Sequence, residues 1–250
     1  MPKLLIFTPT YANGPMADTL ESVKAQRSRR VKWTHHVSWH NPNTDAMLNV
    51  LAQYQLARKM VLQDEQYDAL LAVEHDMRLP DKGAVERMWD TDAGVVYAPY
   101  LLRHGQPSIN LWRKEERPEM GLTLSLYGSE LKRYRELGVG PVSGVGLGCT
   151  LIRRKVLEAI PFRGKAGVAC DMPFAIDCLK RRIDALGRFD VPCDHWNGER
   201  WLSCYGDDSE LVRVRALVTQ DGMKVDRYYT RSYAEAQKLS AEGLIDLCPL

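Results

Sequence analysis

A chain of 250 residues with 45% hydrophobic content can bury a substantial core, as one large α/β domain or two small ones, and one is the simpler reading. Its 34 Lys and Arg against 32 Asp and Glu leave a net charge of +2, which argues against general polyanion binding. No run approaches the roughly 18 apolar residues of a membrane span.

Lys3 to Phe7 is too short and too soon polar for a secretory leader, and the six cysteines show no Cys-x-x-Cys spacing. A zinc ribbon and a thioredoxin-like site are therefore not indicated, and reduced thiols in the cytoplasm are the expectation. Lys3 to Thr8 reads as a first strand and Thr8 to Gly14 as the loop after it. Pro15 suits the first turn of a helix whose stripe is Met16, Leu20 and Val23. Val31, Trp33, Val37 and Trp39 keep a period of two and predict a second strand, broken at Asn41-Pro42-Asn43. Asn43 or Thr44 can cap a second helix with Met47, Leu51, Tyr54 and Val61 on one face. Strand, helix, strand, helix, strand in this order predicts a parallel sheet with right-handed crossovers, and ligands in such sheets collect at the carboxyl ends of the strands.

The third strand, Ala69 to Val73, is continuously apolar and runs into Glu74-His75-Asp76. Strand alternation would point Glu74 and Asp76 to one face and His75 to the other. Two carboxylates on one side of a strand end can hold a hard divalent cation, the other positions being filled by water and substrate phosphates. A strand that turns polar as it leaves the core would look the same. A short helix at Lys82 to Trp89 and a strand at Gly94 to Pro99 extend the pattern. Residues 101–140 are rich in Arg, Glu, Gly and Pro, with one helix at Ser129 to Leu137 and two aromatics, Trp112 and Tyr127, able to stack on a sugar or to anchor the segment.

Gly140 to Arg154 carries four glycines after Pro141-Val142-Ser143 or before it, but no Gly-Lys-Ser/Thr closes a P-loop, and the glycines lead into a strand-like Cys149 to Ile152. Asp171 to Leu186 has an apolar face of Met172, Ile176, Leu179, Ile183 and Leu186 and predicts a long helix closed by Gly187. A strand from Phe189 to Cys193 delivers Asp194-His195-Trp196. The last fifty residues read as two strands, Leu211 to Gln220 and Lys224 to Thr230, and a helix at Tyr233 to Leu244. The basic clusters at Arg27 to Arg30, Arg153 to Lys155 and Lys180 to Arg182 suit helix ends or solvated faces, with one of them available to a diphosphate.

The order of these pieces resembles family-2 glycosyltransferases of the GT-A fold over roughly Lys3 to His195. Thr8-Pro9-Thr10-Tyr11 with Ser22 to Gln26 is similar to the family's opening strand, nucleotide loop and helix. The strand to Glu74-His75-Asp76 resembles its metal-binding Asp-x-Asp segment. Gly144 to Arg154 is similar to its glycine-rich acceptor-side strand, and Asp171 at a helix start, followed by His195, resembles its Glu-Asp helix and metal-binding histidine. Three residues depart from the pattern: Glu74 stands for the usual Asp, Cys170 for the Glu of the Glu-Asp pair, and Trp39-His40 for an acidic residue after the second strand.

The resemblance implies a Rossmann-like α/β fold, with residues 1–200 as the nucleotide-sugar-binding and catalytic domain and 201–250 as an extension packed on it. It implies transfer of a sugar from a UDP- or GDP-sugar to a hydroxyl on a glycan, a lipid-linked group, a protein or a modified nucleic acid. In that reading Thr8, Pro9, Tyr11, Arg58, Glu74, His75 and Asp76 bind the donor. Asp76 and His195 hold Mn2+ or Mg2+, Gly146 and Gly148 line the acceptor side, and Asp171 is the base of an inverting displacement. Each also has a plainer reading: Asp171 as a helix cap, Tyr11 as packing, Arg58 as a solvated charge and His195 as a core histidine. Competing readings are an α/β metal-dependent hydrolase or nucleotidyltransferase using Asp76, and a non-catalytic nucleotide-sugar-binding protein.

Overall fold

The computed structural model describes residues 1–11, 14–101, 111–112, 134–203, 211–220, 223–232 and 241–242. The first half runs β1 (Lys3–Pro9), α1 (Ala17–Lys24), β2 (Lys32–Ser38), α2 (Ala46–Gln63), β3 (Ala69–Val73), β4 (Met77–Arg78), α3 (Ala84–Asp90) and β5 (Val95–Tyr97). Two-residue β6 (Leu111–Trp112) is followed by β7 (Val139–Pro141), β8 (Gly144–Val145), β9 (Cys149–Arg153), α4 (Arg154–Ala159) and α5 (Asp171–Lys180). The described chain continues through β10 (Ala185–Arg188), β11 (Asp194–Trp196), β12 (Trp201–Leu202), β13 (Leu211–Gln220) and β14 (Met223–Ser232).

Seven strands form the central sheet in the order β2-β1-β3-β9-β5-β10-β7. All run in one direction except β9, which lies antiparallel between β3 and β5, and β7 at the edge. This is the mostly parallel sheet expected from the βαβαβ order. Leu4, Leu5, Ile6 and Phe7 of β1 are all fully buried because helices cover both faces, which explains why the strand reads as continuous apolar sequence. Leu5 and Phe7 face α2, α4 and α5 through Tyr54, Leu157 and Phe174, whereas Leu4 and Ile6 face α1 and α3 through Val23, Val85 and Met88. Edge strand β2 is half-exposed; its burial alternates from Lys32 to His35 and not beyond, and Trp39, expected on the same stripe, lies past the strand's end and is exposed. The strand sets His35 against Thr8 Oγ1 (2.9 Å) and His36 against the Phe7 ring (5.5 Å between centroids).

Helix α2 is capped by Asp45, whose carboxylate accepts the Leu48 N–H at 2.9 Å; the cap is thus one residue beyond Thr44 and two beyond Asn43, the expected caps. Its other end is closed by Arg154, which donates to the carbonyls of Val61, Leu62, Asp64 and Tyr67. Arg153 does the same beyond α3, reaching Trp89 O (2.5 Å) and Thr91 O (3.0 Å). Two members of the basic cluster are therefore held by helix C-terminal carbonyls, where the macrodipole favours a cation.

The predicted helix over Asp171 to Leu186 is shorter in the structure, because the chain turns at Arg182 (φ 53°) after Lys180. Ile183 and Leu186 continue the helical period in sequence, yet they pack on opposite faces of the sheet. Leu186 and Gly187 belong to β10, and a Cβ on Gly187 would lie 2.8 Å from the Phe189 ring, so this glycine permits close packing and does not end the helix. The two strands expected in the last fifty residues pair as the antiparallel hairpin β13-β14. Tyr127, most of the predicted helix at 129–137 and nearly all of that at 233–244 lie outside the described residues.

Candidate functional site

One cleft opens over the carboxyl ends of β1 and β3, with about 710 Å³ of empty space that is partly open to solvent. Tyr11 after β1, Glu74, His75 and Asp76 after β3, Tyr100 after β5, Gly148 before β9, Cys170 and Asp171 at the start of α5, and His195 of β11 all line it. Met47, Val50 and Tyr54 of α2 form the apolar wall.

The strand ends at Val73, so alternation does not govern the three residues that follow. Glu74 N donates to Gly148 O (2.8 Å) and Met77 N returns to Glu74 O (2.9 Å), closing a tight turn that brings His75 into the cleft with Glu74 and Asp76. The expectation that His75 faces away is thereby corrected. Its ring lies edge-on to Tyr11, centroids 4.7 Å apart, and its Nδ1 is 3.7 Å from Asp76 Oδ1.

Asp76 and His195 meet at the centre. Asp76 is 4% and His195 6% exposed, and Asp76 Oδ2 lies 3.5 Å from His195 Nε2. The neighbouring strands explain the meeting: β4 begins directly after Asp76 and pairs antiparallel with β11, matching Met77 to His195, while Trp196 N donates to Asp76 O (2.9 Å). His195 Nδ1 lies 2.6 Å from Leu101 O, a contact that requires the proton on Nδ1, so that in the neutral imidazole the Nε2 lone pair is the one towards Asp76. Tyr100 packs edge-on against the same ring at 5.4 Å.

Across the cleft, Tyr54 Oη stands 2.8 Å from Glu74 Oε1 and 3.1 Å from Leu147 O. Burial, and then the nearby Asp76 charge, push the Glu74 carboxyl up to about 7, and Tyr54 is raised by burial and by Glu74. Asp171 accepts the Met172 N–H on Oδ1 at 2.9 Å, which favours its ionised form, but burial prevails and raises its pKa. The Cys170 thiol, where the family pattern has a carboxylate, is buried and pushed upward by that burial.

The other sequence-predicted residues are placed elsewhere. Thr8 is fully buried against His35, and Pro9 ends β1 beside Ser38. Arg58 on α2 donates to Leu157 O (2.6 Å) and does not line the cleft. Gly146 O accepts from Thr150 Oγ1 (3.3 Å) outside the lining, whereas Gly148 is in it, and a Cβ there would meet Met77 Cε at 2.4 Å and Tyr100 at 3.1 Å. Trp39 is 58% exposed, and Gly14 (φ 76°) packs against its ring.

Sequence reasoning missed two supports. Gln53, buried on α2, receives Thr10 N (3.1 Å) and donates to Thr10 O and Asn41 Oδ1 (both 2.7 Å), pinning the loops after β1 and β2. Tyr54 was legible only as part of an apolar stripe, although a buried tyrosine needs a partner for its hydroxyl and so signals a polar group nearby.

Among the described residues no group of three or more His, Cys, Asp or Glu side chains forms a complete metal site. The Asp76 and His195 pair nevertheless fits a divalent cation that completes its shell with diphosphate oxygens and water: one oxygen donor and, in the neutral imidazole, one nitrogen donor converge in a cleft that is partly open to solvent.

No protein-family model and no curated protein sequence matches the chain. Among solved structures, A197 from STIV is 20% identical, the match covering 81% of this chain and 90% of that one at a TM-score of 0.54. The catalytic domain of Drosophila β1,4-galactosyltransferase 7, in complex with xylobiose, is 10% identical over 95% of this chain and 97% of its own, at a TM-score of 0.46. The mannosyltransferase PcManGT from Pyrobaculum calidifontis, in complex with GDP-Man and Mn2+, is 14% identical over 74% of this chain and 54% of its own, at a TM-score of 0.43. The likeness to A197 is one of fold, in keeping with the α/β architecture of a mostly parallel sheet flanked by helices. Among the described residues no helix is long and apolar enough to cross a membrane.

Proposed function

We propose that the chain is a metal-dependent glycosyltransferase that moves a sugar from a UDP- or GDP-sugar to an acceptor hydroxyl. The observation that carries this reading is the convergence of Asp76 and His195, distant in sequence, at 3.5 Å in the cleft above the strand ends. With Asp76 Oδ2 and His195 Nε2 as its protein ligands, Mn2+ or Mg2+ would neutralise the charge that develops on the departing diphosphate. His75 and Tyr11 border the same part of the cleft and are suited to contact the donor.

Asp171, at the start of α5 in the same cleft, is the general base. The acceptor oxygen attacks the anomeric carbon, the bond from that carbon to the diphosphate oxygen breaks, and the acceptor proton passes to the Asp171 carboxylate. A single displacement of this kind inverts the anomeric centre. Residues 1–200 contain every member of this machinery, with 201–250 as an extension.

The test is a thermal-shift series with UDP, GDP, CDP and dTDP, each with and without Mn2+. Stabilisation by UDP or GDP only when Mn2+ is present, lost in Asp76→Ala, is the expected result. An equal response to all four nucleotides, or none, overturns the reading. Product analysis separates transfer from hydrolysis, since a hydrolase would release free monosaccharide at a rate that no acceptor improves.

A further inference from the structure

The strands that join Asp76 to His195 are short: β4 has two residues, β11 three and β12 two. So few backbone bonds contribute little to fixing the register of β4 against β11, and a shift by one residue would turn His195 away from Asp76. Side chains outside the cleft supply the missing constraint. Arg78, the second residue of β4, donates from Nε (3.0 Å) and Nη2 (2.7 Å) to Asp194 Oδ2 at the start of β11. Arg78 and Asp194 are also paired across the ladder, immediately beside the Met77 and His195 pair.

Asp194 is only 4% exposed, so its charge must be met within the protein. The guanidinium lies over the Trp201 ring of β12, 4.8 Å from its centroid. Asp18 of α1 then accepts from Trp201 Nε1 at 2.8 Å and lies 3.8 Å from Arg78 Nη1. One arginine thus ties together α1, β4, β11 and β12, and none of Asp18, Arg78, Asp194 and Trp201 lines the cleft.

We propose that Arg78, anchored by Asp194, is a positioning residue that fixes the register of β4 on β11 and thereby holds His195 and Asp76 in position for one cation. This rests on the metal site proposed above. Groups that orient metal ligands from outside the coordination shell typically change metal affinity by about 10- to 100-fold when removed. Lysine at position 78 keeps the charge but lacks the planar, delocalised fork whose Nε and Nη2 both reach Asp194 Oδ2 while the guanidinium lies over the Trp201 ring.

The experiment compares wild type, Arg78→Gln, Arg78→Lys, Asp194→Asn and the control Arg154→Gln as full chains, well below their melting temperatures. Mn2+ is titrated with UDP or GDP present and free Mn2+ is followed by electron paramagnetic resonance. In parallel, NMR follows exchange of the Trp196 amide, which donates to Asp76 O. Arg78→Gln and Asp194→Asn are expected to weaken Mn2+ about 10-fold or more and to speed Trp196 exchange, with Arg78→Lys intermediate. Arg154→Gln, which loosens the far end of α2, should lower the melting temperature without changing either readout. Unchanged Mn2+ affinity and unchanged Trp196 exchange in Arg78→Gln overturn the proposal, as does an equal loss in Arg154→Gln. If wild type binds no Mn2+ while Arg78→Gln still speeds Trp196 exchange, the metal reading fails and the register role of Arg78 stands.

Discussion

At the amino end of the parallel strands, Arg153 and Arg154 are surrounded by backbone carbonyls from the ends of α2 and α3, and Asp68 accepts the Lys3 N–H at 2.8 Å. At the carboxyl end, Glu74, Asp76 and Asp171 line one cleft, and Glu74 and Asp171 have their carboxyls pushed upward by burial. The first arrangement satisfies its charges within the fold and contributes stability. The second gathers like charges where water is scarce, an arrangement that a bound cation and a polar substrate would relieve. Substitutions at the two ends should therefore separate into losses of stability and losses of turnover.

The largest effect is expected at Asp171. Asp171→Asn preserves the shape of the helix start and removes the base, so transfer should fall by about 100- to 10,000-fold. Stabilisation by Mn2+ with UDP or GDP should stay at the wild-type level, because Asp76 and His195 are untouched. Turnover within a few-fold of wild type, measured by product formation at saturating donor, would remove Asp171 from the mechanism.

At the opposite end, Arg154→Gln leaves the carbonyls of Val61, Leu62, Asp64 and Tyr67 without their cation. Hydrogen bonds to a charged group suggest a loss of about 2–3 kcal/mol, read as a lower urea midpoint with an unchanged slope. The activity of the remaining folded protein should be unaltered. A loss of activity greater than the loss of folded protein would mean that the two ends are coupled.

The contrast between the ends also marks what the sequence made legible. The apolar runs of β1 and β3 and the alternation at the start of β2 were readable because layer packing imposes them on each residue in turn. The cluster at Glu74 to Asp76 stood out because acids follow an apolar strand, but its local geometry did not, since the turn is closed by Gly148 O from the distant loop before β9. The roles of Gln53 and Arg154 were illegible for the same reason: most of their partners are backbone groups, which any sequence offers everywhere. Arg58 and Arg154 are both arginines in contact with the α2 and α4 region, and only the fold shows that each is held by a carbonyl there.

The smallest effect is a pH dependence of stability set by Glu74. Its carboxyl is raised from the usual 4.5 to about 7 in the folded chain, so between those values the folded state binds more protons than the unfolded one. The Glu74 contribution to stability then falls as pH rises through that window and levels off above it, by about 1–3 kcal/mol, against an opposing rise from His35, whose pKa burial lowers. Asp171, also raised, adds a fall of the same sign beginning at lower pH. Glu74→Gln keeps an acceptor for the Tyr54 hydroxyl and removes the ionisation, so in metal-free urea unfolding wild-type stability should fall relative to that of Glu74→Gln between pH 5 and 8. A pH slope over this range that is the same in Glu74→Gln as in wild type would show that Glu74 is ionised at the lower pH, and that the cleft holds its carboxylates in a more hydrated state than the burial of Asp76 and His195 implies.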